Sequence, residues 1–150
     1  MPSDMSVSSR GDVTPPSAGT SGRLPAIHGF HGHHVLADIH GLDAGSLDDI
    51  MYLRSLLELG VERAGATLIR TVDFHFDPVG VTVLILLAES HVSLHTYPVE
   101  GKAFFDAFTC GDTCVPNEIL RTLCEAFPHC ALRITSFARG EPRSHMQCGV

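Results

Sequence analysis

The chain has 150 residues, a formal net charge of −7 and a hydrophobic content of 44%. These values predict one domain with a buried core. The ten Lys and Arg residues are scattered, so the chain lacks the basic cluster that neutralises nucleic acid phosphates. The longest apolar run, residues 81–88, is far shorter than the roughly 20 residues that a membrane helix requires.

The two ends of the chain have a different composition from the middle. Residues 1–27 are rich in Ser, Pro and Gly and predict a disordered tail without a signal peptide. Residues 139–150 predict a loose C-terminal tail. The five cysteines are an odd number, and without a secretion signal they indicate free thiols in a reducing, cytoplasmic compartment.

Apolar periodicity divides the middle of the chain into two halves. In the first half, residues 34–39 predict a strand. Ser46, with Asp49 three residues on, is expected to cap a helix, and this helix is expected to run to residue 65. Residues 67–76 and 81–88 predict two strands joined by a turn.

The second half has the reverse order. Residues 91–97 and 103–109 predict strands joined by a turn, Pro116 is expected to begin a helix that Pro128 closes, and residues 130–137 predict a last strand. The order βαββ then ββαβ predicts an α+β fold, a two-layer sandwich with helices on one face of a mainly antiparallel sheet.

The strand at residues 81–88 is apolar on both faces, because Val81, Val83 and Ile85 alternate with Leu84 and Leu86. Two helices can cover only one face of the sheet. The pattern therefore favours a second subunit packed on the uncovered face.

Ser90 follows this apolar run and comes directly after Glu89. A serine hydroxyl can attack the carbonyl of the preceding residue and turn the peptide into an ester, given strain or a suitable turn. A base, for which His95 is the natural candidate, then removes the serine α-proton, and the chain breaks to leave a terminal pyruvoyl group. In a plain strand residues 90 and 95 point to opposite faces, so a bulge, a bend or a symmetry-related segment must join them.

Three motifs together are more specific than this serine alone. They are Glu89-Ser90-His91, His95-Thr96 and Phe108-Thr109-Cys110-Gly111. With their spacing, over about residues 34–116, the chain resembles the prokaryotic S-adenosylmethionine decarboxylase proenzymes, which are pyruvoyl-dependent and self-cleaving.

The resemblance implies a role for each matched residue. Cleavage falls between Glu89 and Ser90; Ser90 becomes the covalent pyruvoyl cofactor and forms the Schiff base with substrate, His95 is the proton acceptor in processing, and Cys110 is the proton donor in catalysis. It implies an enzyme of polyamine biosynthesis, and the two tails leave residues 28–138 as the processing domain. It also implies a homodimer of cleaved two-chain protomers, with sheets facing each other and helices outside.

The resemblance also suggests the substrate. Phe76 and Tyr97 match aromatic positions that stack on the adenine of S-adenosylmethionine. The family commonly reads His-Thr-Trp-Pro-Glu-Tyr-Gly, and this chain reads His95-Thr96-Tyr97-Pro98-Val99-Glu100-Gly101. Val99 therefore stands in place of the acid that binds the ribose, and Glu100 follows it. S-adenosylmethionine remains the leading expectation.

L-arginine or L-ornithine is the alternative substrate, because some relatives with this core are diverted to basic amino acids. The distal cation of such a substrate needs an acid. Asp73, Asp77 and Glu100 are the candidates.

Two other readings belong to different functional classes. Histidines at 28, 31, 33, 34 and 40, with Asp38, suggest a zinc-binding module, although their spacing matches no closed structural site. An inactive paralogue is the other, disfavoured because Ser90, His95 and Cys110 are all present. Thr82 stands where the family commonly has serine, so a hydroxyl is kept near the processing site.

Overall fold

The computed structural model describes residues 29–140. The N-terminal tail, and all but the first two residues of the C-terminal tail, lie outside this range. The strands are Gly32–His40 (β1), Leu68–His75 (β2), Val81–Leu87 (β3), Ser90–Tyr97 (β4), Lys102–Cys110 (β5) and Ala131–Arg139 (β6). The helices are Ala44–Leu47 (α1), Ile50–Arg63 (α2) and Pro116–Ala126 (α3), with a 3-10 turn at Pro98–Glu100.

The six strands form one sheet in the order β2-β3-β4-β5-β1-β6. Every pairing within it is antiparallel. The helices lie on one face, which confirms the predicted α+β fold. Since β1 lies between β5 and β6, the two halves of the sequence are interleaved in the sheet.

The core lies between the helices and the covered face of the sheet. Alternate residues of β3, Val81, Val83, Ile85 and Leu87, are buried there. They pack in one cluster with residues of α2 and α3, among them Leu53, Leu57, Ile119 and Leu123. The period of two in the strands and of about 3.6 in the helices directs these side chains to the same layer.

The first helical segment differs from the prediction. Asp43 caps α1 by accepting a hydrogen bond from Ser46 N at 2.8 Å, and Asp49 caps α2 by accepting one from Tyr52 N at 3.0 Å. Ser46 is therefore inside α1, and the prediction that it caps a single helix is wrong. Two carboxylates six residues apart each satisfy free backbone N–H groups, so the segment forms two helices.

The other face of the sheet carries exposed apolar side chains. Leu84 is 48% exposed and Leu86 is 52% exposed on β3, and Val72, Phe74 and Phe104 are exposed beside them. The alternation confirms that β3 is apolar on both sides. We call this uncovered side the open face. Between residues 29 and 140, no helix is long and apolar enough to cross a membrane.

Candidate active site

Glu89 lies in the turn between β3 and β4 and is fixed at two points. Its carboxylate, on a side chain only 6% exposed, accepts a hydrogen bond from Thr67 N at 2.9 Å. Its carbonyl oxygen accepts one from Cys110 N, also at 2.9 Å. The carbonyl that Ser90 would attack thus already faces a donor able to stabilise developing negative charge.

A chain of four polar side chains begins at Ser90. Its hydroxyl lies 3.0 Å from Nδ1 of His91, whose Nε2 lies 3.0 Å from Oδ1 of Asp106. Nε2 of His34 lies 2.5 Å from Oδ2 of the same carboxylate. We call these four residues the Ser90 relay.

Cys110 lies at the same end of the sheet as Ser90. The β4–β5 hairpin pairs Ser90 with Thr109, which confirms that the hairpin brings Cys110 to the Ser90 end. Ala103, Phe105 and Ala107 of β5 are buried, so the alternation directs Cys110 to the open face, where it is half-buried.

Cys114 provides a contrast, since it is buried in the core. Burial raises the pKa of the Cys114 thiol above its usual value. A thiol that donates protons to a substrate must be reached by that substrate. Cys110 meets this requirement, whereas Cys114 does not.

His95 lies near the other end of β4. Its Nδ1 is hydrogen-bonded to the hydroxyl of Thr82, which is its register partner on β3. The ring packs against Phe76, at 5.5 Å between centroids, and against Tyr97, at 5.0 Å. We call these four residues the aromatic cluster.

The Ser90 relay and the aromatic cluster are separated along β4. Five residues of strand, at about 3.3 Å each, place Ser90 and His95 roughly 16 Å apart. The burial pattern of β4 confirms that His91, Ser93, His95 and Tyr97 share the open face. Within one chain the structure therefore brings Ser90 and Cys110 together, and it does not bring His95 to them.

The candidate substrate residues divide in the same way. Phe76 and Tyr97 belong to the aromatic cluster, while Val99, 83% exposed, and Glu100 lie in the 3-10 turn just after β4. Asp73 lies on the side of β2 that faces the helices, where Arg54 Nη1 donates to it at 3.2 Å. Its carboxylate is thus unavailable on the open face, which corrects its candidacy as a partner for a substrate cation.

The histidine-rich segment does not form a metal centre in the described part of the chain. Between residues 29 and 140 no three His, Cys, Asp or Glu side chains are placed to hold an ion. His33 and His34 are neighbours on β1 and point to opposite faces, and Asp38 accepts a hydrogen bond from Arg133 Nε at 2.9 Å. His28 lies outside the described residues.

Asp106 was missed by sequence reasoning. In the sequence His91 stands only as part of the motif after Ser90, and His34 only as a candidate metal ligand. A signal was present, because Asp106 is an acid between Phe105 and Ala107, in the apolar middle of the strand. The strand pairing was needed to show that it lies between two histidines.

Comparison with known proteins gives consistent results. The family model described as S-adenosylmethionine decarboxylase matches residues 33–140. The chain is 44% identical over 114 residues to the S-adenosylmethionine decarboxylase proenzyme of Parasynechococcus marenigrum (strain WH8102), an alignment covering 74% of this chain and 87% of that protein. It is 40% identical over 111 residues, with the same coverage, to the proenzyme of that name from Synechococcus sp. (strain WH7803).

A solved structure shares the fold. The crystal structure of the adenosylmethionine decarboxylase from Aquifex aeolicus VF5 superposes with a TM-score of 0.64 at 32% sequence identity, covering 79% of this chain and 97% of that one. The family match covers all of the sheet except Gly32, the first residue of β1, and includes both ends of β4. The chain belongs to the S-adenosylmethionine decarboxylase family.

Proposed function

We propose that this protein is a pyruvoyl-dependent decarboxylase of polyamine biosynthesis that cuts itself between Glu89 and Ser90 and decarboxylates S-adenosylmethionine to the aminopropyl donor. One observation carries the proposal. The Glu89 carbonyl accepts a hydrogen bond from Cys110 N while the Ser90 hydroxyl contacts a histidine nitrogen. A polarised carbonyl beside a serine with a base is the arrangement that self-cleavage requires.

The residues around Ser90 fit the pyruvoyl group. That group supplies an electrophilic carbonyl and an electron sink for the loss of CO2, the chemistry otherwise supplied by pyridoxal phosphate. Cys110 lies on the adjoining strand, at the same end of the sheet. We assign to its thiol the protonation of the substrate carbon after CO2 has left.

His95 removes the Ser90 α-proton of a second copy of the chain. A separation of roughly 16 Å along β4 prevents it from acting on its own Ser90. If two open faces stack about 10 Å apart around a two-fold axis near Ser93, with the β4 strands antiparallel, each His95 lies opposite the other copy's Ser90. The exposed side chains of Leu84, Leu86 and Phe104 become buried in the same contact.

A site shared between two copies of the chain would also position the substrate next to Ser90. The partner's aromatic cluster would then line the pocket at Ser90, where Phe76 and Tyr97 stack on the adenine. The same machinery acting on L-arginine or L-ornithine is the second candidate, and Glu100 and Asp77 are the acids that would meet its distal cation. The absence of an acid at Val99 favours this candidate.

A cytoplasmic location and independence from nucleic acid and membranes complete the proposal. The net charge of −7 supports independence from nucleic acid, because phosphates attract basic proteins. The free thiols of Cys110, Cys114, Cys124 and Cys130 agree with a reducing compartment.

Mass spectrometry of the purified full chain tests the proposal. The expected products are residues 1–89 and a blocked fragment that begins at the pyruvoyl group derived from Ser90. Ser90→Ala should stay intact. Cleaved protein is then offered S-adenosylmethionine, arginine, ornithine and lysine in parallel, and CO2 release identifies the substrate. A wild-type chain that remains uncut after long incubation would refute the proposal.

A further inference from the structure

We propose that His91 is the base that starts self-cleavage by taking the proton of the Ser90 hydroxyl, and that Asp106 and His34 hold it in the reactive tautomer. The inference rests on the proposed function, because it concerns the first step of the same cleavage. It assigns to three residues a task separate from that of His95.

The hydrogen-bond directions follow from the carboxylate. An ionised Asp106 only accepts, so the ring nitrogens that face it, Nε2 of His91 and Nε2 of His34, act as donors. In the neutral His91 ring the proton on Nε2 leaves a lone pair on Nδ1. That lone pair faces the Ser90 hydroxyl at 3.0 Å, which is hydrogen-bonding distance for a base and its proton donor.

The surroundings of Asp106 keep the relay in place. The side chains of His34 and Asp106 are 15% and 26% exposed, so their contact is shielded from most of the solvent. The His34 ring packs against Phe108 and Phe137, with centroids 5.3 and 5.1 Å away. His34 thereby occupies Oδ2 of the carboxylate and leaves Oδ1 for His91.

The position of His34 has a further consequence. Its Nδ1 is buried and has no hydrogen-bond partner among the described residues. A proton on Nδ1 would be a buried donor without an acceptor, and it would leave the lone pair of Nε2 facing the Asp106 carboxylate. The proton of the neutral ring is then on Nε2, directed at Asp106, which matches the direction of the relay.

The step balances without an added reactant. His91 Nδ1 takes the proton from Ser90 Oγ as that oxygen bonds to the carbonyl carbon of Glu89. The bond from this carbon to the nitrogen of Ser90 then breaks, its electron pair stays on the nitrogen, and the nitrogen takes the proton back from His91. The amide has become an ester, and the Cys110 N–H bonds the carbonyl oxygen throughout.

Two histidines thus act in sequence. His91 serves ester formation within its own chain, and His95 serves the later removal of the α-proton. The two steps can be separated, because hydroxylamine splits an ester at Glu89 and leaves the original amide intact.

The experiment uses the full chain in a His95→Ala background, in which the ester should accumulate. Fragment formation in hydroxylamine is followed by mass spectrometry, with and without a second substitution. His91→Gln retains an amide N–H donor for Asp106 but has no basic nitrogen. We expect it to slow hydroxylamine-dependent cleavage by at least about tenfold, since general bases contribute about 10²–10⁴-fold.

Two further variants complete the test. His40→Gln, an exposed histidine on the open face of β1, should leave the rate unchanged. Asp106→Asn retains its shape but removes the charge that fixes the tautomer, and it should slow the step as well. Circular dichroism confirms that each variant is folded, and His91→Gln is the deciding variant if Asp106→Asn unfolds.

The outcomes separate this inference from the proposed function. A wild-type chain that never cleaves would refute both. The role of His91 alone would be overturned by a different result. In that case the wild-type chain cleaves, and the His91→Gln, His95→Ala double variant forms the ester within tenfold of the rate of His95→Ala. Unchanged ester formation in folded Asp106→Asn would overturn its positioning role.

Discussion

The hydroxyl of Thr82 is hydrogen-bonded to Nδ1 of His95 across the pairing of β3 and β4. When Nδ1–H donates to the threonine oxygen, the lone pair of the ring is on Nε2, which is free to take a proton. We expect Thr82 to orient the ring of His95, the base proposed for the second processing step, in this tautomer.

Removing this hydroxyl should slow that step. We expect Thr82→Val to accumulate the ester and release pyruvoyl fragment about tenfold more slowly, equal to about 1.4 kcal/mol of barrier. Thr82→Ser should process at the original rate or faster. The two rates follow from mass spectrometry with and without hydroxylamine, and equal processing by Thr82→Val would show that His95 is oriented by other contacts.

Mixing two inactive chains tests the shared site. In a mixed dimer of Ser90→Ala and His95→Ala chains, one site combines an intact Ser90 with an intact His95. We expect the His95→Ala chain to be cleaved after mixing, although neither variant cleaves alone. Leu86→Asp in both chains should prevent this rescue, whereas Met51→Asp, on an exposed position of α2, should not. Cleavage of His95→Ala without a partner would contradict the shared site.

The two thiols Cys110 and Cys124 should behave differently. Cys110→Ala should still cleave, at least in part, but lose turnover or protonate the product wrongly, because its thiol lies on the open face near Ser90. Cys124→Ala is the matched control, since burial raises the pKa of that thiol to about 11 and it packs against the core. CO2 release and product analysis after cleavage distinguish them. Normal turnover by Cys110→Ala would assign the proton to another group.

Substrate choice can be tested at Val99. Val99→Glu introduces an acid at an exposed position beside the aromatic cluster, and a hydrogen bond to a charged group contributes about 1.5–3 kcal/mol. The KM for S-adenosylmethionine should fall about tenfold, the lower end of that range. Val115→Glu, before α3, should have no such effect. No gain at Val99, together with arginine or ornithine turned over about a hundredfold more efficiently, would reassign the substrate.

The stability of the sheet should depend on Glu58. The Thr71 hydroxyl, followed by Arg54, holds the pKa of the Glu58 carboxyl below its usual range. A lowered pKa in the folded state stabilises the fold above the unfolded pKa, and this contribution is lost as the pH falls. Glu58→Gln should cost roughly 0.5–1 kcal/mol at pH 7 and less at pH 4, measured by urea denaturation of the Ser90→Ala chain. Glu62→Gln, at an exposed position of the same helix, is the control, and a loss that is equal at both pH values would contradict the assignment.

Most of the fold could be predicted from the sequence, because the apolar periodicity of each element agreed with the Pro and Gly residues at its ends. The alternation in β3 and the Pro116 start of α3 both appear in the structure. The start of α1 was wrong because two aspartates compete as caps, and propensity does not rank them against Ser46. Such a choice depends on how the chain enters the helix.

For the candidate site, the sequence predicts a set of residues but not their arrangement. Motif spacing predicts Ser90, His95 and Cys110 as site residues, which stays a prediction, and the alternation of β4 places His95 on the open face. The relay to Asp106 depends on which strands are neighbours, and β1 reaches β5 from a distant part of the sequence. Sequence spacing has no information on contacts of that kind.

The interleaved strand order determines what holds a cut protomer together. Cleavage after Glu89 would leave β1, β2 and β3 in one polypeptide and β4, β5 and β6 in the other. In the sheet these pieces alternate, and they meet along three borders, β3 with β4, β5 with β1, and β1 with β6. β1 of the first piece lies between two strands of the second. Neither piece can therefore dissociate without breaking the hydrogen bonds along all three borders. The cut protomer therefore remains one folded body without the peptide bond between residues 89 and 90.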